Sequence, residues 1–226
     1  MNKTTVVVFL LLFSLPLRAS ELATSIANLE SAWAQTYYLT SEHQQTQQFP
    51  VLLERANALA KQHPQAAEPK IWQAIMLSTL AGHQTSLKAL TTIKEAKILL
   101  EEAINLNPKA LDGAAYVTLG TLYYMVPGWP IAFGDNQIAE RYLKTSLQIN
   151  PNGIDANYFY ADFLIQHGRA NEAEPYLKKA AEAPIRKQQV LADSRMQEDA
   201  RQALHHAKSH ESEYHRFLSV FNTVSE

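Results

Sequence analysis

His206 and His210 stand four residues apart near the end of the chain, with Glu211 and His215 close behind. On a helix, residues i and i+4 share a face, and two imidazoles so placed are half of a transition-metal site. A stable site needs further ligands at fixed positions, and no pattern here supplies them, so the cluster reads as a solvated polar face. No metal and no cofactor are expected. The chain has no cysteine, so it lacks a thiol nucleophile. It also lacks a Gly-rich phosphate loop, a G-x-S-x-G elbow and an H-E-x-x-H pair. With its carboxylates spread over helix faces, the protein is expected not to be an enzyme. What remains is chemistry of recognition. Tyr124, Trp129, Phe133, Asp135, Tyr158, Phe159 and Asp162 are the candidate ligand- or partner-binding residues. Tyrosine joins an apolar ring to a polar tip, which suits a surface that binds.

These side chains must be positioned by helices. Three segments end alike: "EAKILLEEAINLNP" (95–108), "IAERYLKTSLQINP" (138–151) and "EAEPYLKKAAEAP" (172–184). Ala96, Leu100 and Ala103 align with Ala139, Leu143 and Ser146, and with Ala173, Leu177 and Ala180. The spacing puts each set on one helical face, and a proline stops each helix. A second helix precedes each of these: "WQAIMLST" from Trp72, "YVTLGTLYY" from Tyr116, and "NYFYADFLIQHGR" with Gly168 closing its turn. "AWAQTYYL" and "LLERANALAKQHP" form a weaker first copy. This pattern resembles the tetratricopeptide repeat, a helix–turn–helix unit of about 34 residues. The fold expected is all-α, a tetratricopeptide superhelix of about four helix pairs. Residues 1–19 would form a signal peptide and 20–226 a single solenoid domain. The repeats are placed at about 22–64, 70–108, 113–151 and 154–184, with a C-terminal capping helix at 186–221. Ser194 with Gln197 would form a capping box at the start of the cap. In such a stack the first helix of each pair lines the concave groove. The resemblance places Val117, Thr118, Thr121 and Tyr124 there, and Asp155, Tyr158, Phe159, Asp162 and Gln166.

The copies are uneven. Ala139 to Ala173 is the expected period, but Ala96 to Ala139 is longer. The surplus falls between paired helices, around "AGHQTSLKALTT" and within "VPGWPIAFGD", so both insertions should emerge on one edge. Pro127-Gly128 is a turn dipeptide, Pro130 is a second brake, and Asp135 or Asn136 can cap the next helix. Val126, Trp129, Ile131 and Phe133 should pack over the solenoid edge or into the groove.

Composition bounds the setting. The chain has 226 residues, 46% hydrophobic, with a formal charge of −2, which provides no basic field for nucleic acid. The first residues read as a secretory signal. Lys3 is the basic end, Val6 to Leu15 the apolar run, and "LRAS" the cleavage site after Ala19. Ten apolar residues are too few to span a bilayer. Without a cysteine there is no lipobox, so the product is expected in the periplasm and not as a lipoprotein.

The segment "YYMVPGWPIAFGDNQIAERYLKTSLQINPNGIDANYFYADFL" resembles the TRAP transporter T-component family. The shared elements are "PGWP", "FGD", "A..YL..SL.INP", "N.FYADFL" and "G...EA..YL..A", over roughly 70–205. The resemblance implies a periplasmic helper that associates with a solute-binding protein. It also implies trimeric assembly and a pore through each protomer that carries a small hydrophobic ligand. The chain departs from the lipid-anchored type by lacking the cysteine. The alternative is a general tetratricopeptide scaffold that binds peptide or protein partners in another cell-envelope complex.

Overall fold

The computed structural model describes the backbone of residues 3–209 and the side chains of residues 21–205. Within these the protein is all-α, a tetratricopeptide-like superhelix. The paired helices are α1 (Lys3–Leu39) with α2 (Glu42–Gln62), α3 (Ala67–Ala81) with α4 (Ser86–Leu106), α5 (Ala114–Met125) with α6 (Asn136–Ile149), and α7 (Ile154–Gln166) with α8 (Ala170–Glu182). A ninth helix, α9 (Val190–Ser209), packs on α8. Among the described residues no helix is long and apolar enough to cross a membrane. The proposed signal peptide, residues 1–19, has its side chains outside the described residues. So do the side chains of His206, His210, Glu211 and His215. The metal expectation therefore falls outside the description.

Local chemistry sets the helix boundaries. Ser41 begins α2 with a reciprocal capping box: its hydroxyl accepts from the Gln44 N–H, and the Gln44 side chain accepts from the Ser41 N–H. Asp135 begins α6 by accepting from the Gln137 and Ile138 N–H groups, both at 2.9 Å. α4 and α6 end at Asn107 and Asn150, each followed by the proline that stops the helix. The aligned small and large positions lie against the partner helix. Ala96, Leu100, Ala103, Ala139, Leu143, Ser146, Ala173 and Ala180 are fully buried, and Leu177 nearly so. Small residues let the helix axes approach, and the leucines fill the space between them. The core runs from Ala67 to Ala203. A second cluster around Phe49, Trp72 and Met76 joins it through Leu53, Ile75 and Leu111, which pack on both.

Three expectations are revised. The second copy carries no inserted loop: α3 and α4 are separated only by residues 82–85, and the surplus lengthens α4 to 21 residues. Thr85 starts that helix because nothing in "SLKALTT" breaks it. Ser194 does not start the capping helix, which already begins at Val190. Gln197 instead donates to the Ala183 carbonyl at 2.6 Å and so satisfies the end of α8. The third revision concerns the insertion between α5 and α6. Val126 is buried, and Phe133 packs on Tyr123 with ring centroids 5.1 Å apart. Trp129 and Ile131, however, are 89% and 62% exposed. The chain turns back at Gly128, whose carbonyl accepts from the Ile131 and Ala132 N–H groups. This leaves Trp129 and Ile131 at the tip, on the solvent side. The Trp129–Pro130 peptide bond is cis.

One further contact shapes the molecule. α1 touches α9, so the first and last described helices meet and the row of first helices closes on itself.

Candidate functional site

Closure encloses a cavity of about 190 Å³ on the inner side of α1, α3, α5 and α7, with the approach to α9 completing the wall. The cavity communicates with solvent. α1 supplies Glu30, Trp33 and Tyr37, one helical turn apart. α3 supplies Trp72, Ile75 and Thr79, α5 supplies Val117, Thr118, Thr121 and Met125, and α7 supplies Asp155 and Phe159. Arg186, Gln189, Ala192 and Met196 close the ring. Most of this surface is apolar or aromatic.

The aromatic side is built from stacked rings. Trp33 stacks on Tyr37 at 5.1 Å and leans on Trp72 at 6.0 Å. The Trp33 indole N–H donates to Thr79 Oγ1 at 3.1 Å, which fixes the ring against α3. Burial pushes the Tyr37 hydroxyl up to about 12, so it stays protonated. The Trp72 indole Nε1 is buried without a hydrogen-bond partner among the described residues. Leu111 reaches the cavity from an unusual backbone. Leu111, Asp112 and Gly113 have φ of 48°, 57° and 84°, a left-handed turn between α4 and α5. Each non-glycine residue held there costs on the order of 1 kcal/mol. The burial of Ala110 beside it and the packing of Leu111 on both core clusters offset that cost.

The opposite side is charged. The Arg186 guanidinium bridges two acids: Nη1 donates to Asp155 Oδ2 at 2.8 Å and Nη2 to Asp193 Oδ1 at 2.5 Å. Nε also donates to Asp193, and the Arg186 backbone N–H donates to Asp193 Oδ2 at 2.7 Å. Asp193 is fully buried, so this fork is the site's most desolvated ion pair. Glu30 is 9% exposed. Burial raises its carboxyl to about 8, against a smaller opposing pull from Arg186, with Asp155 and Asp193 pushing it further up.

Of the seven candidate residues, the structure brings only Phe159 to the cavity wall. Tyr158 is 1% exposed and packs in the core between repeats. Tyr124 donates to Asp162 Oδ2 at 2.6 Å, and Gln166 donates to the same oxygen at 2.8 Å. This is a structural tie between α5 and α7. Burial raises the Asp162 carboxyl to about 6, while the Tyr124 and Gln166 bonds pull it back. Asp135 is a helix cap, Phe133 packs on Tyr123, and Trp129 points to solvent. The expected groove positions Val117, Thr118, Thr121 and Asp155 do line the cavity; Tyr124, Tyr158, Asp162 and Gln166 do not. Glu30, Trp33, Trp72 and Arg186 were not among the candidates. The same face read along α1 and α3 signals the first three, whereas Arg186 reaches the wall from the turn before α9, held by Asp155 of α7 and Asp193 of α9.

Residues 131–184 match the tetratricopeptide repeat family. They span the end of the "GWP…FGD" loop, α6, α7 and α8. The chain therefore contains a tetratricopeptide repeat, a fold that mediates protein–protein interaction and is typically a non-catalytic scaffold. No curated protein matches the chain. Among the described residues no cluster of three or more histidine, cysteine, aspartate or glutamate side chains is placed to hold a metal ion.

Proposed function

We propose that the protein is a non-catalytic periplasmic adaptor of the TRAP T-component kind. It holds a small apolar molecule in its cavity and engages a solute-binding protein through its outer surface. The observation that carries this reading is the meeting of α1 with α9 around an apolar, aromatic-lined space. A peptide scaffold uses an open concave face, and here the first helices surround a cavity instead. The "GWP…FGD" loop, with Trp129 and Ile131 at its tip, offers apolar contact area to a protein partner.

The test uses 1-hexanol as a minimal apolar ligand. It should raise the melting temperature of the purified protein in a concentration-dependent way. Thr118→Trp, which puts a ring into the cavity, should abolish the effect while keeping helical circular dichroism. No stabilisation of the wild-type protein by hexanol would sink the cavity reading. A pull-down from periplasmic extract should recover a solute-binding protein, and recovery of other envelope proteins alone would favour the general scaffold.

A further inference from the structure

Glu30 is the ionisable side chain of the cavity wall that has no hydrogen-bond or ion-pair partner among the described residues. It is 91% buried, counted from its 9% exposure, and lines the cavity. It makes no hydrogen bond or ion pair with another described residue, and only longer-range charge acts on it. Its carboxyl faces the cavity, so solvent there, and no donor of the protein, is what satisfies it, at a cost that burial of the rest of the side chain raises. The donor nearest in charge is already committed: Arg186 spends its guanidinium on Asp155 and Asp193. The charges around Glu30 are Asp155 from α7, Asp193 from α9 and Arg186 from the turn before α9. With Glu30 itself, that is three carboxylates to one guanidinium. α3 turns Trp72, Ile75 and Thr79 to the cavity, α5 turns only uncharged residues there, and α2 contributes none. With Glu30 ionised, the polar end of the cavity thus carries net negative charge, which favours a cation over an anion there.

We propose that the cavity selects an amphipathic molecule with a protonated amine head, the ammonium held by the Glu30 carboxylate and the tail lying against Trp72, Val117 and Phe159. The inference rests on the cavity reading above and adds the chemical class of the ligand. Benzene fills an engineered cavity of about 150 Å³. The present cavity of about 190 Å³ suits a head and short chain of roughly eight heavy atoms.

Hexylamine, 1-hexanol and hexanoate share a chain and differ in the head. Isothermal titration calorimetry of the full chain at pH 9 compares them with Glu30 ionised and the amine still charged, since a primary amine titrates near about 10.4. Hexylamine should bind about tenfold more tightly than hexanol, and hexanoate more weakly than either. At pH 6 the preference for the amine should shrink, because it must then displace the Glu30 proton. Glu30→Gln keeps the shape and removes the charge. It should lose about tenfold for hexylamine and stay within about twofold for hexanol. Equal affinity for amine and alcohol at pH 9, or an unchanged preference in Glu30→Gln, would overturn the inference and leave the cavity reading standing. Failure of both hexylamine and hexanol to bind would remove the two together.

Discussion

Glu30 shows how one side chain reports its surroundings. Its carboxyl titrates near 8 in the fold and about 4.3 in an unfolded chain. Between those values the native state holds a proton that the unfolded state has released. Stability from this group is therefore full below about pH 4 and is lost as pH rises through 8. Glu30→Gln should remove that slope. It should leave stability near pH 4 unchanged and raise it above pH 8 by on the order of 5 kcal/mol, as read by urea denaturation across pH. An unchanged pH profile in the variant would show that Glu30 is solvated and ordinary. Nothing near Glu30 in the sequence announces this. It sits in "IANLESAW" as one acid among helical neighbours, and its environment comes from residues 155–193.

At the scale of elements, the helices were legible because their signals are local. The small–large–small faces, the proline stops and the Asp135 cap all act within a few turns, and the structure places them as read. The insertions were harder. The surplus of the second copy could extend a helix or form a loop, and "SLKALTT" with no breaker took the helical course in α4. "VPGWPIAFGD" contains prolines and glycines, so it stayed a loop. Its apolar residues divide between packing and exposure according to which side of the turn they occupy. Gly134 holds that loop closed. Its N–H donates to the Pro127 carbonyl at 2.9 Å, and a Cβ there would lie 2.0 Å from the Val126 carbonyl oxygen. Gly134→Ala should cost about 2 kcal/mol or more in chemical denaturation. Trp129→Ala, at the exposed tip, should change stability by less than about 0.5 kcal/mol. A large loss from the tryptophan change would mean that the tip is packed in solution.

At the scale of the whole molecule, the site depended on what the repeat pattern cannot state. Repeats describe neighbours; the meeting of α1 with α9 joins residues more than a hundred positions apart. Phe159, Val117 and Thr121 could be assigned to an inner face from their register. Arg186, in a short connection between α8 and α9, could not. That guanidinium ties α7 to α9 through Asp155 and the fully buried Asp193. Arg186→Ala should cost about 3–5 kcal/mol, because it leaves a buried carboxylate uncompensated. Arg186→Lys should recover only part, since one ammonium cannot reproduce the forked contacts. Equal stability of the three proteins by urea denaturation would show that the bridge does not fasten the end of the array.

The junction of α1 and α9 also changes how the stack should come apart. A linear array of helix pairs melts from its free ends, since a terminal unit has one neighbour where an inner unit has two. Joining the ends gives every unit two neighbours and suppresses that fraying. The long-range junction carries the largest loop-closure cost, so it is expected to form late, which hydrogen exchange of the α9 amides during refolding would check. The cavity then appears with that junction and is lost when the junction opens, while the paired helices on either side can persist.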